Sequence, residues 1–156
     1  MKAIYKAIAD VLINDTDLKA LVRYTESKKN IRRAYIPEGQ WDRLIIFYLQ
    51  PEMVKTDFSP QIRDIPLIVR VYDREGDLPC DDMAERIILL LDGADLSVEG
   101  QIHVYDCSYT GELIASSWNS DLKSYEKVLR FMIVARMDGV VGPSGYPMRK
   151  RKREWK

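Results

Sequence analysis

The chain has 156 residues, of which 46% are hydrophobic and 31% are charged, and this composition is ordinary for one globular domain. Its 24 basic and 24 acidic side chains cancel, yet residues 148–156 hold six Lys or Arg and one Glu, so residues 1–147 have a net charge of −5. No apolar run reaches the roughly 20 residues of a membrane span, and the N-terminus lacks a signal-peptide pattern, which argues against a membrane or secreted protein.

The N-terminal part of the chain predicts two helices. From Met1 to Ile13, apolar residues recur at i, i+4, i+7 and i+8, which is the spacing of one helix face. Asp15 or Thr16 can cap a second, shorter helix that ends near Val22. The segment Tyr24–Arg33 is polar and basic and has no apolar period, so we predict a loop there.

Two apolar runs predict the first pair of strands. Leu44–Leu49 is a continuous apolar run short enough for a buried strand, and Ile65–Tyr72 is apolar and β-branched. Between them, Gln50–Asp64 is broken by Pro51 and Pro60 and predicts a long connection. Long connections inside compact domains are often working surfaces.

A helix follows the second of these strands after a short acidic connection. Pro79 suits the first helical position, and Gly93 suits the position just after the helix ends. Between them, Met83, Ile87 and Leu91 recur at i+4 spacing and form one apolar stripe. The strand and the helix each have one strongly apolar side, so they predict the scaffold on which the rest of the domain packs.

The C-terminal part of the chain predicts a second pair of strands and an arm. Gln101–Tyr109 and Tyr125–Met137 alternate as strands, and the polar segment Thr110–Ser124 predicts another long connection. Residues 139–156 contain Gly and Pro before the basic run and predict an extended arm. Residues 1–138 therefore predict one α+β domain in the order α, short α, β, β, α, β, β. Its four-stranded, mostly antiparallel sheet has the helices packed on one face.

No motif in the sequence predicts catalysis or metal binding. His103 is the only histidine, and Cys80 and Cys107 lie 27 residues apart without zinc-site spacing, so we expect two reduced thiols. Cys80 near a helix start either has a lowered pKa or is a small half-buried thiol. Five carboxylates could hold a divalent cation or form an acid–base pair, but a polar turn and the helix macrodipole also explain them. We expect no enzyme, no cofactor and no metal. The five carboxylates are those of Asp73, Glu75, Asp77, Asp81 and Asp82.

The C-terminal arm contains the strongest binding signal in the sequence. Five consecutive cations attract nucleic-acid phosphates or an acidic protein surface, and the neighbouring aromatic residues can stack or anchor. The alternative is a solvated tail that only improves solubility. The candidate contacts are Arg149, Lys150, Arg151, Lys152, Arg153, Trp155 and Tyr146.

A series of short phrases, in a fixed order, runs along residues 1–138. They are a D-x-x-L-x-x-L-V run (Asp15, Leu18, Leu21, Val22), an R-x-Y-x-P-E-G approach to a strand (Arg33, Tyr35, Pro37, Glu38, Gly39), L-L-D-G (Leu90 to Gly93), a G-x-x-V-like strand (Gly100, Val104), Asp121 in a polar stretch, and L-R-F (Leu129, Arg130, Phe131). In this order they resemble the tail-completion or tail-terminator proteins of long-tailed bacteriophages, also described as minor tail or head–tail joining proteins.

The resemblance implies a structural virion protein at the tail–neck junction, assembled in the host cytoplasm. Such proteins form a ring, usually a hexamer, that terminates the tail tube and joins the tail to the head. The implied partners are other copies of the chain, the tail tube protein and neck or connector proteins, with DNA passing through the channel and no membrane. A loop between rings would use Met53, Lys55, Phe58 and Arg63.

Two alternatives to the tail terminator stay open. One is a head-completion or stopper protein of the connector, on the capsid side of the neck. The other is a DNA-binding accessory protein that uses the basic C-terminal arm. The long connection at 50–64 and the arm after Gly139 depart from the family pattern, and they bear on the position of the protein in the virion.

Overall fold

A computed structural model describes residues 2–37, 40–50, 53–54 and 62–136. The predicted α+β class is confirmed, with helices and strands in a mixed order along the chain. The helices are α1 (Lys2–Ile13), α2 (Thr16–Val22) and α3 (Asp77–Leu91); the strands are β1 (Ile31–Arg33), β2 (Arg43–Leu49), β3 (Met53–Val54), β4 (Ile62–Asp73), β5 (His103–Asn119) and β6 (Ser124–Arg136).

The strands form one mixed sheet in the order β1-β2-β4-β6-β5, and the short β3 also pairs with β4. The pairing of β1 with β2 is parallel, and the other pairings are antiparallel. The prediction of four strands was wrong, because it missed the short strands β1 and β3, which have three and two residues. Strands this short have no readable period, so the basic segment that contains β1 was predicted as a loop.

The last two strands form a long hairpin, and the predicted connection at 110–124 was wrong over most of its length. Strand β5 has 17 residues and remains paired with β6 as far as Asn119. Four register shifts interrupt the pairing, and Gly111 lies within one of them with φ of 125°. Each bulge shifts the alternation of faces, so the sequence of β5 loses its period of two.

The three helices of the described residues pack on one face of the sheet, as predicted. Their buried side chains meet the alternating residues of the central strands, including the fully buried Ile65 and Phe131. Burying one such side chain stabilises the fold by roughly 1.5–3 kcal/mol. On the opposite face, a smaller cluster joins Trp41 to Leu44, Ile46 and Tyr72.

The helix ends follow the capping rules with one shift. The Asp15 side chain accepts a hydrogen bond of 2.8 Å from the Leu18 N–H, so Asp15, one of the two predicted candidates, is the N-cap of α2. Helix α3 begins at Asp77, two residues before Pro79, so the prediction of Pro79 at the first helical position was wrong. Gly93 follows the C-cap Asp92 with φ of 77°, which confirms its predicted role. No described helix is long and apolar enough to cross a membrane.

Candidate interaction surfaces

Three of the five carboxylates in the cluster, here called the acidic turn (Asp73–Asp82), pair with basic side chains from distant parts of the chain. Asp73 is fully buried, and its carboxylate accepts hydrogen bonds from the Glu75 and Gly76 N–H groups at 2.6 and 3.2 Å. The Arg43 Nε lies 2.8 Å from its other oxygen. A buried charge needs such a partner, so this pair holds the turn against β2.

Glu75, on the surface of the same turn, forms a bidentate ion pair with Arg23. The two nitrogens of the guanidinium lie 3.0 and 3.2 Å from the two carboxylate oxygens, and Arg43 approaches to 3.5 Å. The hydrogen bonds from Arg23 hold the pKa of Glu75 below its usual range. Both side chains are half exposed, so the contribution of this pair to stability is small.

Asp81 links the first turn of α3 to the hairpin. Its Oδ1 accepts hydrogen bonds from the Ser116 hydroxyl at 2.7 Å and from Lys127 Nζ at 2.9 Å. The Ser116 hydroxyl and then Lys127 lower the pKa of Asp81. Lys127 also contacts Glu112 at 2.9 Å, so one ammonium serves two carboxylates. Within the described residues, no group of His, Cys, Asp and Glu side chains could hold a metal ion.

The cysteines have the character of core residues. Cys80 and Cys107 are fully buried free thiols, and burial raises the pKa of each to about 12. The alternative of a lowered pKa at Cys80 was therefore wrong, because desolvation outweighs the favourable position at a helix start. His103 is exposed and packs edge-on against Tyr105, with ring centroids 4.7 Å apart.

Most of the predicted contact residues lie outside the described residues. Met53 lies in β3, and Arg63 lies in β4, paired in register with Val54 and Ala135. The structure therefore places two of the four loop residues beside each other on neighbouring strands. Outside the described residues are Lys55, Phe58, Tyr146, Arg149, Lys150, Arg151, Lys152, Arg153 and Trp155.

The two edges of the sheet have opposite charges, which was not predicted. Residues 23–35, which include β1 and which we call the basic edge, contain five Lys or Arg and one acid. Residues 92–121, which include β5 and which we call the acidic edge, contain six acids and no Lys or Arg. All six acids are exposed. They are Asp92, Asp95, Glu99, Asp106, Glu112 and Asp121.

The first half of β5 is covered by the loop that follows α3. The Gly93 N–H donates to the Cys107 carbonyl at 2.7 Å, and the Tyr109 N–H donates to the Asp92 carboxylate at 2.9 Å. Ser97 similarly bonds the N–H of Val104 at 2.8 Å. Such cover prevents unwanted strand pairing, but no described strand pairs with the outer side of residues 110–119.

Large apolar side chains are exposed at both edges. On the basic edge, Tyr35 is 66% exposed. On the uncovered half of β5, Leu113 and Trp118 are 52% and 53% exposed, and Trp118 packs edge-on against Tyr125. Aromatic and apolar side chains in this setting are typical of protein–protein contacts. The acidic edge could have been predicted from the sequence, because residues 92–121 contain no Lys or Arg.

The chain is similar in fold to a virion chain. No protein-family model and no curated protein matches it. The similar chain comes from a solved structure of the virion of a native gene transfer agent (GTA) particle. The two chains align with a TM-score of 0.59 and 17% sequence identity, over 85% of this chain and 92% of the other. The shared fold therefore includes nearly the whole of both chains.

Proposed function

We propose that this chain is a structural virion protein that forms a ring at the tail–neck junction, terminates tail-tube assembly and joins the tail to the head. The observation that supports this most is the fold shared, over most of both chains, with a chain of a gene transfer agent virion. The ordered phrases along residues 1–138 favour the tail-terminator class within virion proteins. A head-completion or stopper protein of the connector is the closest alternative.

The surfaces of the domain suit such a role. A subunit of a closed ring needs two different, complementary faces, because each copy contacts its neighbours head to tail. The sheet has two edges of opposite charge and so offers two such faces. Three carboxylates of the acidic turn are held in internal ion pairs, which supports a role of this turn as a scaffold for these faces.

Electron microscopy of particles from a virus that lacks this protein tests the proposal. A tail terminator predicts abnormally long tails without heads, because tube growth no longer stops. A stopper predicts tails of normal length that fail to join heads. Supplying the protein from a plasmid restores normal particles in either case. Normal, joined tails in its absence would contradict both assignments.

DNA binding through the arm is the second candidate function, and the five consecutive cations at 149–153 favour it. Neutralising phosphates releases counterions, so the affinity of the full chain for duplex DNA would fall steeply between 50 and 200 mM salt. Deleting residues 148–156 would abolish this binding and leave the fold unchanged by circular dichroism. Binding that survives the deletion would remove this candidate.

A further inference from the structure

We propose that copies of this chain associate head to tail, with the basic edge of one copy docked on the acidic edge of the next. This inference rests on the ring of the proposed function and identifies the surfaces that form it. The partner is a second copy of the same chain, because one molecule presents both halves of a complementary contact.

Charge complementarity is the first support for this partner. The basic edge has a net charge of +4, although one of its five cations, Arg23, is paired with Glu75 of the same chain, and the acidic edge has a net charge of −6. Two copies of the chain repel each other when edges of like charge meet, and they attract each other when edges of opposite charge meet. This arrangement therefore favours head-to-tail contact over a two-fold dimer, in which each edge would face its own copy.

The sheet register places the two edges at the same height. Arg33 aligns with Phe47, then with Val69, then with Leu129, and finally with Glu112 at the far edge. Neighbouring strands lie about 4.8 Å apart, so the row spans roughly 19 Å from edge to edge. A second copy displaced along this row brings its Arg33 to the level of the exposed Glu112, which also contacts Lys127 of its own chain.

The uncovered half of β5 is the part that lies opposite this row. Glu112 and Leu113 belong to residues 110–119, where the chain's own loop no longer covers the strand edge. The exposed Leu113 and Trp118 supply apolar area there, and Tyr35 supplies it on the basic edge. A contact core of aromatic and apolar groups with charged surroundings is the usual composition of a protein interface.

Charge reversal on each edge, followed by mixing, tests the contact. Variant one carries Lys28→Glu and Lys29→Glu, and variant two carries Asp106→Lys and Asp121→Lys, which lie on either side of residues 110–119 and leave the Glu112–Lys127 pair unchanged. All four side chains are exposed, so both variants should fold. Self-association is measured on the full chain by sedimentation velocity over a range of concentrations, at low and high salt.

We expect wild-type protein to associate more strongly at low salt, and each variant alone to associate at least about tenfold more weakly. An equimolar mixture of the two variants should recover the association. In the mixture, the native acidic edge of variant one meets the native basic edge of variant two, whereas the altered edges have net charges of 0 and −2, so the association is recovered as far as pairs of copies. Variants with the same charge changes on the helix layer, Lys2→Glu with Lys6→Glu and Asp10→Lys with Glu85→Lys, should associate like wild type.

A monomeric wild-type protein, unaffected association in the edge variants, or a mixture that fails to recover would each overturn the inference. The test is independent of tail morphology. If association persists in both variants while tails from the deletion virus are abnormally long, the proposed function stands and the edges are not its contact. If mixing recovers association while those tails are normal, the edge contact stands and the proposed function fails.

Discussion

The acidic turn and the acidic edge look alike in the sequence and differ in space. The acidic turn has five carboxylates within ten residues, and basic side chains from three other places in the chain pair with Asp73, Glu75 and Asp81. The acidic edge has its six acids spread over 30 residues, all exposed, and contains no Lys or Arg; one of the six, Glu112, contacts Lys127 of β6 at 2.9 Å. Three of the five carboxylates of the acidic turn are therefore held by partners within the chain, whereas all six acids of the acidic edge lie at the surface.

This difference follows from where each segment lies. The acidic turn joins β4 to α3 and faces the loop after α2 and the start of β2, so folding delivers arginines to it. Asp106 and Glu112 lie on the outermost strand, β5, which pairs with one neighbouring strand of the described residues, and the other four acids of the acidic edge lie in the segments on either side of β5. Charges that are paired internally contribute to folding, while charges left at an edge are available to another molecule.

The largest effect on stability is expected for a substitution of Asp73, the buried carboxylate of the acidic turn. Asp73→Asn keeps the size of the side chain and removes its charge, which leaves Arg43, only 13% exposed, without a buried counterion. We expect the free energy of unfolding to fall by about 3 kcal/mol. Urea denaturation followed by tryptophan fluorescence measures this, and a change below about 1 kcal/mol would contradict the buried pair.

A smaller loss is expected at Asp81, which is partly exposed. Asp81→Asn weakens the hydrogen bonds to Ser116 and Lys127 that join α3 to the hairpin. Solvent screens part of this interaction, so we expect a loss of about 1 kcal/mol in the same denaturation experiment. Asp82→Asn, one residue away and exposed, serves as the matched control and should change stability much less.

Acid should weaken the same contact. The pKa of Asp81 is lower in the folded protein than the value of about 3.9 in the unfolded chain. Its stabilisation is therefore complete above pH 4 and is lost as the pH falls through the folded pKa. The thermal midpoint of the wild type should decline below pH 4, and Asp81→Asn should decline less steeply. Parallel declines would show that Asp81 contributes nothing to acid sensitivity.

The smallest effect on stability is expected for substitutions of exposed acids at the acidic edge. Asp106→Asn with Asp121→Asn removes two exposed charges and should leave the free energy of unfolding within about 0.5 kcal/mol of wild type. The same double variant should weaken self-association at low salt. A stability loss above 1 kcal/mol would mean that these acids serve the fold.

The sequence predicted the elements whose pattern is long and regular. Helix α3 has an apolar stripe and a terminal glycine, and the fully buried Met83, Ile87 and Leu91 lie where the stripe predicts. Strand β6 has 13 residues, and its buried residues alternate from Leu129 to Ala135 as the pattern predicts, whereas Ser124, Glu126 and Val128 are buried on the other face. In these elements local preference and tertiary packing agree, so local reading is sufficient.

The edges of the sheet could not be read in the same way. Strand β1 is three residues long and pairs in parallel with β2, a pairing that depends on the position of β2 and not on a local pattern. Strand β5 has four register shifts, so its faces do not alternate regularly. The charge partners were equally invisible, because Arg23 and Glu75 are 52 residues apart in sequence.

The two buried cysteines leave the chain well suited to site-directed chemistry. Both thiols in the sequence lie in the core with their pKa raised to about 12, so thiol reagents should leave the native protein unmodified. A cysteine introduced at Tyr35 and another at Leu113 would then be the reactive ones. Mild oxidation could trap neighbouring copies as covalent ladders on a denaturing gel, and the number of rungs would count the subunits in the assembly.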